Sequence, residues 1–190
     1  MWVLVLGLVL FFGFHSIRMA APGFRAARIE AMGEGPWKGI VALPSLLGIG
    51  LMIWGWMLYR QDAPDIYFPP DWGQHVTAVF MILGLVLFGV SVGPVGRIKA
   101  FVRHPMSLGV AAWGIGHLFS NGDLASILLF GTWSLYALVA AAVASLRGDP
   151  APVFQSARSD LGGIVGGLTA YLLFVYLLHG GLFGTTPPVI

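Results

Sequence analysis

The run RHPMSLGVAAWGIGHLFSNGD occupies residues 103–123. It opens on a cation and a histidine, closes on Asn-Gly-Asp, and holds mostly small and apolar residues between. Pro105 suits the first turn of a helix, where its missing N–H is no loss. Asn121-Gly122 reads as a helix stop followed by a turn. A helix between them puts Ala112 with Gly116, and Trp113 with His117, on shared faces, because each pair lies four residues apart. Gly109, Gly114 and Gly116 leave room for a neighbouring helix or a flat ligand against the backbone. His117 sits among apolar residues in this stretch, and a polar group that costs energy in lipid needs a partner or a job.

The rest of the chain fits a lipid setting. Of its 190 residues 57% are hydrophobic and only 9% charged, against about a quarter charged in soluble proteins. The composition is that of an integral membrane protein of one domain, residues 1–190, in contact with the bilayer along most of its length. A formal charge of +2 gives no reason to expect nucleic acid as a partner. The chain has no cysteine, which excludes disulfides, thiolate metal sites and a cysteine nucleophile. No basic segment precedes the apolar run from Trp2 to Phe14, so it reads as a first transmembrane helix and not as a cleaved leader.

Six apolar segments approach the roughly 20 residues needed to cross hydrocarbon: about 2–19, 38–58, 76–96, 105–120, 124–146 and 162–184. The expected fold is all-α, a bundle of six transmembrane helices. Between the first two, alanines among the charges of residues 26–32 suggest a short amphipathic turn. Residues 60–74 combine Asp62, Asp65 and Asp71 with Tyr67-Phe68 and Pro69-Pro70, a rigid interfacial mixture. Nine of the ten basic residues fall in or beside the odd loops, and only Arg60 stands opposite. The positive-inside rule then puts the odd loops in the cytoplasm and both termini outside it. In a bacterial inner membrane that means the periplasm.

Histidine carries most of the chemistry on offer. His15 either caps the cytoplasmic end of the first helix or faces the bundle as a ligand or proton site. His117 is either bonded to another helix or a ligand. His104, beside Arg103, suits an anionic headgroup, a propionate or a phosphate. His75 and His179 read as interfacial. Paired histidines in a helix bundle, without cysteines or a carboxylate cluster, point to haem before zinc or di-iron. No nucleophile elbow or phosphate-binding glycine loop occurs, and Gly162-Gly163 and Gly166-Gly167 read as helix-packing positions.

The HS pair at His15-Ser16, RHPM-x-x-G from Arg103, W-x-x-x-H from Trp113, the NGD of residues 121–123 and H-G-x-x-F-G at residues 179–184 together resemble the NnrU family of bacterial membrane proteins. That family is associated with nitrite and nitric oxide metabolism, and it is similar to plant zeta-carotene isomerase, a membrane enzyme that uses haem b. The resemblance implies haem b here, with His15 and His117 as the iron ligands. Trp113 would wall the porphyrin, and Arg103 with His104 would meet a propionate. A redox or isomerase-like role in nitrogen-oxide or carotenoid chemistry would follow. The isomerase has a cysteine where this chain has Gly114.

Other readings remain open. RHP-x-x-x-G also resembles part of a membrane methyltransferase signature that binds S-adenosylmethionine, but Ser107 replaces its usual tyrosine and no glutamate follows Glu34. A structural or assembly subunit of a larger membrane complex, or a homo-oligomer, is the non-enzymatic reading. Depth favours His104 as a rival ligand. It lies 13 residues before His117, about 20 Å along a helix, and His15 falls toward the cytoplasmic end. The charge pattern makes a direct prediction: reporter fusions after Arg28 and Lys99 read cytoplasmic, and a fusion after Asp65 reads periplasmic.

Overall fold

Where two helices meet through glycine, their backbones approach more closely than any other residue permits, and in lipid that packing is a main source of association. The computed structural model describes residues 1–184 and 187. Its helices are α1 (Trp2–Ala20), α2 (Pro22–Met32), α3 (Glu34–Tyr59), α4 (Gly73–Ser91), α5 (Arg97–Val102), α6 (Pro105–Leu118), α7 (Leu124–Leu146) and α8 (Ala157–Phe183). α7 and α8 each contain one wide π-helical turn, Ile127–Gly131 and Phe174–Leu178. No strand occurs among the described residues. The chain forms two compact units: Met1–Pro64 with Asp123–Leu129, and Asp65–Gly122 with the chain from Phe130 onward.

In the first unit α1 and α3 run antiparallel and meet at three glycines. A Cβ on Gly7 would stand 2.6 Å from the Met52 amide nitrogen and 2.8 Å from the Gly48 carbonyl oxygen. One on Gly48 would stand 2.9 Å from the Phe11 nitrogen, and one on Gly55 would run into the backbone of Leu4. Leu4 and Met52 are fully buried at this seam. The Trp56 indole N–H donates to the Ser126 hydroxyl over 3.0 Å, with the Arg60 guanidinium 4.4 Å above the Trp56 ring. Interhelical bonds of this kind contribute on average about 0.6 kcal/mol in membrane proteins. The glycine seam therefore holds α1 to α3, and the hydrogen bond ties α3 to the start of α7.

In the second unit α4 is the common partner of α6 and α8. Gly84 faces Gly109, Gly116 lies against Phe80, and Gly89 meets Gly163 and Gly167. α7 packs on α6 where Ser134 lies against Gly114. Many large apolar side chains remain outside these seams, among them Leu43, Leu46, Leu83, Leu135, Leu161 and Leu177. Helices that are apolar on their outward as well as their inward faces belong in a membrane.

Five helices are long and apolar enough to cross it: Trp2–Ala20, Glu34–Tyr59, Gly73–Ser91, Leu124–Leu146 and Ala157–Phe183. The fourth expected crossing is the helix Pro105–Leu118, whose 14 residues rise only about 21 Å. Pro105 does take its first-turn place. The expected segment 76–96 instead ends at Ser91, because Gly93 turns through φ 90° and Pro94 follows. Past that break the chain winds into α5, where the sequence suggests only a loop. The amphipathic turn of residues 26–32 is part of an 11-residue helix, α2, with no buried residue. Gly55→Val should destabilise the α1–α3 pair by about 3 kcal/mol, the upper end of the range for overpacking. A lowered unfolding midpoint in detergent would report it.

Candidate functional site

His117 lies one residue from the end of α6, held on several sides. Its Nδ1 lies 2.8 Å from the Trp113 carbonyl oxygen, one turn back. A carbonyl can only accept, so Nδ1 carries the proton, and in the neutral ring Nε2 is left with its lone pair. No group among the described residues hydrogen-bonds Nε2. The ring stacks on Phe130 (centroids 4.4 Å apart, planes at 20°) and meets Trp113 at 5.1 Å. Trp113 in turn contacts Phe130 at 5.0 Å and Trp133 at 6.2 Å. Phe130 comes from the π-helical turn of α7. Wide turns of that type occur often at functional sites.

The short helix α6 ends in a dense set of caps. The Asn121 side-chain amide donates 2.8 Å to the His117 carbonyl. The Thr77 hydroxyl lies 2.7 Å from the Gly116 carbonyl and also contacts the Ser120 hydroxyl. The Tyr67 hydroxyl bonds the Leu118 carbonyl and lies 2.9 Å from that of Asn121. Gly122 accepts from the Ile66 and Tyr67 amides, and no side chain would fit there, since a Cβ would strike the Tyr67 carbonyl. The carbonyls around His117 are thereby satisfied by protein groups.

His15, in the first unit, is prepared in the same way. Its Nδ1 lies 3.1 Å from the Phe11 carbonyl and 3.2 Å from the hydroxyl of buried Ser45. That hydroxyl donates 2.6 Å to the Val41 carbonyl, which leaves its lone pairs facing the imidazole N–H. The ring stacks on Phe11 with centroids 4.0 Å apart. Again Nδ1 is the donor and Nε2 is the nitrogen left over.

The other two expected site residues stand apart from these. Arg103 and His104 precede the first residue of α6, while His117 is near its last, so a continuous 14-residue helix separates them. The His104 Nε2 lies 3.0 Å from the Ser145 hydroxyl. Arg103 is exposed and holds φ 64°, where a side chain is strained. Trp113 and His117 are thus brought together in one unit, Arg103 and His104 occupy the opposite end of α6, and His15 belongs to the other unit.

The family model for NnrU protein matches residues 3–187. The chain belongs to the NnrU family. No curated protein and no solved structure matches it.

In this NnrU protein several supporting residues escape a reading of the sequence alone. Ser45 and Phe130 lie 30 and 13 positions from the histidines they serve, with no local pattern to connect them. Asn121 was legible as a helix stop, and its place four residues after His117 is the signal for its cap. Gly114 is a further case. A Cβ there would lie 2.5 Å from the Phe130 carbonyl oxygen and would collide with the Ser134 hydroxyl. Gly114→Cys should therefore cost about 1–3 kcal/mol by overpacking. Adding Ser134→Ala should restore only part of the unfolding midpoint, because the Phe130 obstacle is backbone.

Proposed function

We propose that this NnrU protein binds haem b in the bacterial inner membrane, with the iron held by His117 and His15. The observation that carries the reading is the bond from the His117 Nδ1–H to the Trp113 carbonyl. Metal-bound histidines characteristically donate their second ring nitrogen to a carbonyl, a carboxylate or water, which fixes the tautomer and the ring orientation. His15 repeats the arrangement with Phe11 and Ser45. Two neutral imidazoles fit a haem iron, and the aromatic rings of Trp113 and Phe130 suit a flat apolar macrocycle.

Bound haem would supply one-electron chemistry or a site for small ligands, with a redox or isomerase-type role in nitrogen-oxide or carotenoid chemistry. The protein's own part is to hold each imidazole in one tautomer and to keep water from the carbonyls at the end of α6. In the same reading α6 is a sixth, short crossing, both termini face the periplasm, and the cation-rich loops face the cytoplasm. The capped C-terminal end of α6 supports this, since a helix can end within a bilayer where protein satisfies its carbonyls.

Protein purified from haem-replete cells should show a sharp Soret band and resolved visible bands on reduction. His15→Ala and His117→Ala should each open one axial position, shift the iron toward high spin and let carbon monoxide bind. His104→Ala should leave the spin state unchanged. Absence of any Soret band in well-folded protein would end the haem reading and favour the structural-subunit role.

A further inference from the structure

The second unit has one end built around cations. Residues 92–104 and 147–160 hold Arg97, Lys99, Arg103, Arg147 and Arg158 against two acids, Asp149 and Asp160. Asp160 is already committed: its two carboxylate oxygens accept from the Arg97 amide at 2.7 Å and the Ile98 amide at 3.1 Å. Lys99 is committed as well, donating to the Ser91 and Gly93 carbonyls at 2.7 and 3.0 Å. Asp149 makes no ion pair among the described residues.

The two segments are laced together. The amides of Gln155 and Ser156 donate to the Val95 carbonyl, the Gln155 side-chain oxygen accepts from the Val95 amide, and the Ser159 hydroxyl donates to the Pro94 carbonyl. His104 joins Ser145 at the end of α7, and the Arg97 guanidinium lies 5.9 Å from the Phe154 ring. The guanidinium groups of Arg97, Arg103 and Arg158 make no ion pair among the described residues. Around them large apolar side chains stand outward: Phe101 is 89% exposed, Leu146 87% and Val153 78%. Water alone is a poor partner for such apolar groups, and lipid tails alone are a poor partner for the cations. A leaflet of anionic phospholipid satisfies both at one level.

We propose that this end of the second unit seats anionic phospholipid, with the phosphates on Arg97, Arg103 and Arg158 and with Phe101, Leu146 and Val153 in the acyl boundary. The backbone of Arg103 gives the assignment its sharpest test. At φ 64° glycine is relaxed and arginine is strained. A position chosen for backbone comfort would hold glycine; this one carries a guanidinium group.

The test titrates the full-length, detergent-purified protein with phosphatidylglycerol and with phosphatidylcholine, and counts retained lipid by native mass spectrometry. Phosphatidylglycerol should bind more tightly. Arg97→Gln, Arg103→Gln and Arg158→Gln should each weaken it about fivefold. Arg103→Gly should weaken it equally while leaving the unfolding midpoint in phosphatidylcholine bilayers unchanged or raised. A triple Arg→Gln variant that kept its phosphatidylglycerol affinity would overturn the proposal, as would equal binding of phosphatidylcholine. Inorganic phosphate displacing the lipid at comparable concentration would show that the surface takes free anions instead. A lowered midpoint for Arg103→Gly would show that Arg103 serves the fold and not the lipid.

Discussion

A carbonyl group at the end of a helix has no water to turn to inside a bilayer, and leaving it unpaired costs several kcal/mol. α6 is only 14 residues long, so as the short crossing proposed above it would face that cost at a depth where longer helices do not. Its last carbonyls are met by Thr77 from α4, Tyr67 from the preceding loop and Asn121 from its own end. The helix can be short because its neighbours complete it. His117 then comes to rest beside the ring of Phe130 with its backbone already satisfied, and only the imidazole edge is left for chemistry.

The closeness that glycine permits at α6 also limits what the site can become. Gly109 and Gly116 let α4 approach, and Gly114 admits Ser134 from α7. Ser134 donates 2.8 Å to the Phe130 carbonyl, whose ring covers His117. The space that a side chain at position 114 would need is thus already part of the support for the histidine. Any larger side chain at that position would have to displace the group that holds the stacking partner of His117.

Much of the helical layout was legible in the chain, for physical reasons. Long apolar runs leave little choice in lipid, Pro105 marks a start, and Asn121-Gly122 marks a stop. The Ser91 boundary was missed because residues 92–96 carry no polar side chain, and only the Gly93-Pro94 pair reveals the break. α5 was missed because its six residues are too few for periodicity to declare itself. At the candidate site the residues with unusual chemistry, His15, Trp113 and His117, could be picked out singly. Their partners could not, because Ser45 and Phe130 are ordinary residues made specific by long-range packing. The separation of Arg103 and His104 from His117 was available from helix rise alone, and the continuous helix between them bears that distance out.

The latch between Tyr67 and the end of α6 also bears on how the chain is made. Tyr67 and Leu118 lie 51 positions apart, so during synthesis the loop carrying the phenol emerges well before the carbonyl it will hold. Chains are built from the N-terminus, and α4 with its preceding loop is therefore made before α6. The short helix follows onto a surface that already holds Thr77, Phe80 and Tyr67, and Phe130 and Ser134 of α7 are added after it. Asn121, four residues from its own target, needs no such wait and can protect the His117 carbonyl from the moment both have been added. The order of the elements along the gene thus has the groups that close the end of α6 made before it, and the groups that cover His117 made after it.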